Sequence, residues 1–163
     1  MDLRELLEPI NSGEYELKKW LRAHNCKVED VSDNPKYWAQ DIDLLVEPIY
    51  SNYDSFSAEV KWDNRIAESD NLYIEMINPR SKEGRGWYYF CKADYLFYGD
   101  SINQLFYVFK VKDLFAFIKL NKDKLRWGAT ADGSRGLLVP LKDVKGLYSI
   151  IDLDETASIK FEI

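Results

Sequence analysis

The residues of this sequence that could bind a metal ion and a phosphate lie in two short apolar segments. Asp43 lies at the start of the first, 42–46, and Glu59 and Lys61 lie in the second, 56–62. Apolar and polar residues alternate in the second segment, which is typical of a half-buried strand and places Glu59 and Lys61 on one face. Paired carboxylates bind a hard divalent cation, and a lysine offers a positive point charge to an oxyanion.

A loop that contains Pro48, Asn52 and Asp54 separates the two segments. Such a loop predicts a hairpin, which would bring Asp43 towards Glu59. The alternative is an ordinary surface ion pair, in which Glu59 and Lys61 both point to water and contribute little. The joint occurrence of three residues in this order favours the site over the ion pair.

An amphipathic helix is predicted upstream of the hairpin. Its apolar stripe is Leu17, Trp20 and Leu21, and Ser12 is a suitable N-cap. Glu14 falls in the first turn, where it would either reach the carboxylates as a third acid or simply stabilise the positive end of the helix dipole.

The order Asp43, then Glu59-Val60-Lys61, resembles the core of the PD-(D/E)xK nuclease superfamily. Residues 14–25 are similar to the first helix of the archaeal Holliday-junction resolvases of that superfamily. Segments 71–75 and 92–98 look like the continuation in its small phage-type members. The resemblance covers about residues 10–100. The chain departs from the pattern at Ile42, which stands where the superfamily's name has proline.

The resemblance implies a restriction-endonuclease-like fold, which is an α/β (α+β) architecture with a mixed central sheet flanked by helices. It implies that Asp43, Glu59 and the Val60 carbonyl hold Mg²⁺ or Mn²⁺, while Lys61 stabilises the transition state or orients the attacking water. Resolvase-like spacing favours Glu14 over Glu16 as a further catalytic acid. Asp41 remains an alternative to Asp43.

The implied activity is metal-dependent hydrolysis of nucleic acid, with DNA as the favoured substrate. The resemblance also implies a homodimer. A nuclease-fold module that binds a protein or nucleic acid without cutting is the alternative.

Size and composition predict one folded domain over residues 1–163. Hydrophobic residues make up 46% of the chain and aromatic residues 15%, which is typical of a globular protein. No apolar run is long enough to span a bilayer and no signal peptide is recognisable, so we expect an intracellular, cytoplasmic protein without a membrane partner. Cys26 and Cys91 are therefore expected to be buried thiols rather than a disulfide.

The net charge of −6 argues against a nucleic-acid partner, because phosphate neutralisation provides most non-specific affinity. Cations nevertheless cluster on the first helix and around the central motif: Lys18, Lys19, Arg22, Lys82, Arg85 and Lys92. A single histidine, His24, excludes histidine-dependent metal sites, and no glycine-rich phosphate loop is present.

Further elements are predicted from periodicity and turn residues. We expect helices over 1–11 and 114–120, the latter capped by Asp113, a helical turn over 143–147, and a helix or strand beginning at 87–90. We expect strands over 26–31, 72–77, 95–98, 104–111, 137–141 and 158–163.

Overall fold

The computed structural model describes residues 12–155 and 161–163. The helices are α1 (Gly13–Ala23), α2 (Pro35–Trp38), α3 (Ile66–Ser69) and α4 (Val111–Asn121). The strands are β1 (Cys26–Asp30), β2 (Leu44–Pro48), β3 (Phe56–Asp63), β4 (Asn71–Ile77), β5 (Tyr95–Asp100), β6 (Leu105–Lys110), β7 (Arg126–Ala129), β8 (Arg135–Pro140) and β9 (Tyr148–Asp152). The predicted helix over 1–11 and residues 158–160 of the last predicted strand lie outside the described residues.

The architecture is mixed α/β, with a mostly antiparallel sheet flanked by helices. Six strands form this sheet in the order β1-β2-β3-β5-β6-β9, and only β3 and β5 run parallel. A parallel pair needs a crossover connection. Here the crossover carries α3 and β4, and β4 joins β8 and β7 in a second sheet of order β4-β8-β7.

The two faces of the larger sheet are covered by different elements. On one face, Leu17 and Leu21 of α1 pack with Ala58 and Val60 of β3. The other face packs against the second sheet and α4, through Leu72, Ile74, Leu96, Phe109, Leu114 and Ile118. Because side chains alternate along a strand, Glu59 and Lys61 belong to this second face.

The start of α1 lies very close to β3. The Ser12 hydroxyl oxygen accepts a hydrogen bond from the Tyr15 amide at 3.2 Å, which confirms Ser12 as the N-cap. A Cβ on Gly13 would lie 2.7 Å from the Trp62 Cβ, and a Cβ on Gly99 would lie 2.1 Å from the Trp62 ring. Both positions therefore need glycine to make room for Trp62.

Five of the predicted strands are confirmed as β1, β4, β5, β6 and β8, and β8 ends at Pro140. The predicted cap of α4 is wrong: the helix begins at Val111 with Lys110 as N-cap, and Asp113 lies inside the first turn. An aspartate in the first turn stabilises the positive end of the helix dipole, so Asp113 is favourable at this position although it is not the N-cap.

The remaining predictions concern short turns and the chain end. The segments around 87–90 and 143–147 form 3₁₀ turns, Trp87–Tyr89 and Leu141–Leu147. Residues 161–163, predicted as the end of a strand, are not in a strand, and Phe161 instead packs in the core beside α1. Strands β7 and β9 were not predicted.

The two cysteines are free and buried, as expected. Burial raises the pKa of each thiol to about 12, so neither is a reactive thiolate at neutral pH. No helix among the described residues has both the length and the apolar character to cross a membrane.

Candidate active site

The hairpin of β2 and β3 brings Asp43 against the strand that carries Glu59. Leu44 pairs with Ala58, and Asp43 directly precedes Leu44. The Asp43 amide donates to the Ala58 carbonyl at 2.9 Å, and the Asp43 carboxylate accepts a hydrogen bond from the Val60 amide at 2.9 Å. The Asp43 side chain therefore continues the hydrogen bonding between β2 and β3, which holds it beside the centre of β3.

Glu59 and Lys61 form an ion pair on the face of β3 away from α1. The Glu59 side chain is only 4% exposed, whereas that of Lys61 is 30% exposed. The Lys61 amine also lies 4.9 Å from the centre of the Trp87 ring, a cation–π contact. A buried carboxylate distinguishes this pair from the exposed surface pair that the sequence left as an alternative.

The environment of Glu59 opposes its ionisation. Burial raises its pKa to about 9, Lys61 partly offsets this, and the neighbouring Asp43 charge raises it further. Burial by itself would lower the pKa of Lys61, but Glu59, Asp41 and Asp43 outweigh it, so that pKa is raised. Lys61 therefore keeps its positive charge at neutral pH.

Two further carboxylates belong to the same electrostatic cluster. Burial raises the pKa of Asp41, Lys61 opposes that shift, and Asp43 and Glu75 reinforce it. Asp41 also has a left-handed backbone, with φ of 48°, which aspartate tolerates better than most residues. Glu75 comes from β4 in the second sheet, and its carboxylate accepts a hydrogen bond from Asn78 at 3.3 Å.

Glu14 belongs to α1 rather than to the hairpin that carries Asp43, Glu59 and Lys61. Glu14 lies in the first turn of α1, and α1 packs on the face of β3 opposite to Glu59 and Lys61. A catalytic part for Glu14 stays a prediction.

The oxygen donors suit a magnesium ion that is only partly held by protein. Within 12–155 and 161–163, no three or more His, Cys, Asp or Glu side chains are grouped to hold a metal ion. Asp43 and Glu59 supply two carboxylates. The Val60 carbonyl faces the same strand edge as the Val60 amide, which bonds Asp43. Mg²⁺ commonly takes one or two carboxylates and completes its shell with water and substrate phosphate.

A cleft of about 830 Å³ opens beside Lys61. It lies between the end of β3 and the face of the second sheet that bears Tyr73 and Glu75, and Trp87 forms part of its wall. The sequence does not predict the cleft or the position of Trp87 beside Lys61, because both depend on how the second sheet packs against the first.

Comparison of the chain with protein-family models, with curated proteins and with solved structures finds no match. The geometry of Asp43, Glu59 and Lys61 is therefore the basis for assigning a function.

Proposed function

We propose that this chain is a metal-dependent nuclease of the PD-(D/E)xK type, with a restriction-endonuclease-like fold, that hydrolyses phosphodiester bonds in nucleic acid, with DNA as the favoured substrate. One observation carries the proposal. Asp43 is bonded to the Val60 amide while Lys61 pairs with the buried Glu59, so three residues of the motif lie close together, and Lys61 also lines a cleft. The mixed sheet with its adjacent β2 and β3 is compatible with that fold.

Asp43, Glu59 and the Val60 carbonyl would hold Mg²⁺ or Mn²⁺. When bound, such an ion polarises the scissile phosphate and lowers the pKa of a bound water. Glu59 suits this role because its raised pKa reflects a carboxylate that lacks sufficient positive charge around it. A bound cation would favour the charged form of this carboxyl, which burial disfavours.

Lys61 supplies a fixed positive charge next to the carboxylates. Its raised pKa keeps the amine protonated, and the Trp87 ring restricts where the amine can lie. A substrate phosphate would compete with Glu59 for this amine. The amine would stabilise the phosphate most strongly in the transition state, where negative charge develops on the phosphoryl oxygens. Electrostatic stabilisation of this kind accelerates such reactions.

The resemblance also suggests an intracellular homodimer. Light scattering coupled to size-exclusion chromatography measures the oligomeric state directly. A homodimer would elute with twice the mass of the chain.

The test is cleavage of labelled single-stranded, duplex and branched DNA and RNA with Mg²⁺ or Mn²⁺. Wild type is compared with Lys61→Ala and Glu59→Gln, and with matched controls Lys27→Ala and Glu47→Gln at exposed positions of the same sheet. We expect the controls to cut like wild type and the site variants to be inactive. Cleavage by Lys61→Ala at the wild-type rate would refute the assignment.

The alternative is a module with this architecture that binds without cutting. The observation in its favour is that the charged groups already satisfy one another: Lys61 pairs with Glu59, and Asp43 bonds Val60. A titration with Mn²⁺ separates the two functions, since a non-catalytic module has no need to bind the ion at these carboxylates. Absence of both binding and cleavage would favour the module.

A further inference from the structure

Two glycines are neighbours on adjacent strands of the second sheet. Gly128 of β7 and Gly136 of β8 are directly paired, and Gly128 lines the cleft. Glycine in a strand weakens the strand, and it often marks a bulge or a place where a ligand or another backbone approaches closely. The two positions can be examined separately for such a reason.

Packing explains Gly136 but not Gly128. A Cβ on Gly136 would lie 2.6 Å from the Ile74 carbonyl oxygen and 2.9 Å from the Tyr73 ring. The atoms nearest to a Cβ on Gly128 would belong to the flexible Leu138 side chain, the first at 3.1 Å, and a small shift of that side chain would relieve the contact. Gly128 also has no left-handed φ that would call for glycine. Neither backbone nor neighbours therefore require glycine at position 128, and its effect is to keep the floor of the cleft open.

The walls of the cleft are suited to a planar, polar group attached to an anion. Tyr73 lies over Gly136 and contributes an aromatic face. Asn71 and Thr130 add hydrogen-bonding groups. Two cations, Lys61 and Arg65, line the same cleft together with two acids, Asp63 and Glu75. Each acid already accepts a hydrogen bond, from Tyr98 and Asn78 respectively. Its volume of about 830 Å³ falls within the range of small-molecule sites rather than that of a groove for a whole duplex.

We propose that this cleft holds one unpaired nucleotide of the substrate strand, with its base over Gly128 and its phosphate near Lys61 and Arg65. Bases stack on aromatic side chains whatever their sequence, and a base inside a duplex must be extruded before it can enter such a site. The proposal rests on the nuclease function and narrows it to strands that are single or carry an unpaired nucleotide.

The first measurement is binding without cleavage. A fluorescein-labelled single-stranded 12-mer of DNA and a blunt hairpin duplex of the same base composition are titrated with wild type in EDTA. The same titrations are made with Gly128→Val, which fills the floor with a residue that strands favour. Gly146→Val is the matched control, because a Cβ at Gly146 has nothing within 4 Å.

We expect wild type and Gly146→Val to bind the single strand at least tenfold more tightly than the duplex, and Gly128→Val to lose that preference. Tyr73→Leu, which removes the aromatic face without filling the cleft, should weaken single-strand binding as well. Unchanged single-strand binding by folded Gly128→Val would overturn the proposal, as would equal affinity of wild type for strand and duplex.

A cleavage assay with the same substrates and Mn²⁺ keeps the two proposals apart. If wild type binds single strands in a way that Gly128→Val abolishes but cuts nothing, the nuclease proposal fails and the cleft assignment stands. If wild type cuts and Gly128→Val cuts single strands equally well, the nuclease proposal stands and the cleft assignment fails.

Discussion

The two faces of β3 differ in what they contribute. Phe56, Ala58 and Val60 face α1 and are buried among apolar side chains. Glu59 and Lys61, on the other face, form a charged pair, and Lys61 lines the cleft. The apolar face stabilises the fold by removing surface from water, whereas burying a charged pair is often no better than burying apolar residues.

Stability therefore does not explain the presence of charged residues on this face of β3. Glu59 retains its proton more strongly in the folded chain than in solution, because burial and Asp43 oppose its charge. Carboxyls with such shifts occur often at functional sites, although structural networks produce them too. The two faces should consequently respond to substitution in opposite ways.

Phe56→Ala is expected to have the largest effect, and that effect is on stability. Phe56 is buried against the rings of Tyr95, Phe97 and Phe161. Truncation leaves a cavity and should lower the free energy of unfolding by about 3–5 kcal/mol. Urea unfolding followed by tryptophan fluorescence measures this loss. A loss below about 1 kcal/mol would show that the apolar face is not the main support of β3.

Lys61→Ala comes next, and its effect should fall on cleavage. Removing one preorganised charge from a transition state typically costs about 10²–10³ in rate. The fold should be little changed, since the Lys61 side chain is partly exposed. Single-turnover cleavage by Lys61→Ala is compared with that by Lys27→Ala, and thermal unfolding of both checks the fold. Equal cleavage rates would remove the functional contrast between the two faces.

The local pattern of β3 was sufficient to predict both of its faces. Alternation over 56–62 predicted the strand, and the turn residues after Pro48 predicted the hairpin that brings Asp43 to Val60. These features are local, so a sequence reveals them. The same holds for the Ser12 cap and for the stripe of Leu17, Trp20 and Leu21 on α1.

What could not be predicted depends on contacts between distant segments. The strand over 72–77 was expected, but nothing local indicates that it leaves the first sheet to pair with β8. β7 is short and contains Gly128, which is poor in strand propensity. The packing of α1 on the face of β3 that bears Ala58 and Val60 likewise depends on contacts between distant segments.

Glu59→Gln tests whether the stability of the charged face depends on pH. The pKa of Glu59 is about 9 in the fold against an ordinary 4.5, so between these values the folded state binds more protons than the unfolded state. The stability that this carboxyl contributes is therefore complete below pH 4.5 and is lost as pH rises towards 9. We expect the free energy of unfolding of Glu59→Gln to be about 1–3 kcal/mol higher than that of wild type at pH 8. Near pH 5 the two free energies should be similar.

Urea unfolding of both proteins at pH 5, 6, 7 and 8 measures this difference, with Glu47→Gln as the exposed control. A difference that does not grow with pH would contradict the raised pKa. Mn²⁺ at ten times its dissociation constant should add about 1.4 kcal/mol to wild type and much less to Glu59→Gln, because binding to the folded state alone stabilises it.

Tyr98→Phe tests how the charged face is attached to the second sheet, and it should have the smallest effect. The Tyr98 hydroxyl donates to the Asp63 carboxylate at 2.6 Å and accepts from the Tyr73 amide at 3.0 Å, so it connects β3 to the edge of β4. Asp63 and Tyr73 both line the cleft, where water can replace the lost hydroxyl. We therefore expect the free energy of unfolding to fall by only about 1 kcal/mol.

The matched control for that variant is Tyr107→Phe. Tyr107 is the cross-strand partner of Tyr98, and its hydroxyl has no hydrogen-bond partner among the described residues. Urea unfolding gives the two costs, and amide hydrogen exchange at Tyr73 reports whether the edge of β4 opens more often. Faster exchange at Tyr73 in Tyr98→Phe alone would locate the cost at the junction of the two sheets. Equal costs in the two variants would mean that apolar packing holds the cleft wall in place and that the hydroxyl bridge adds nothing to it.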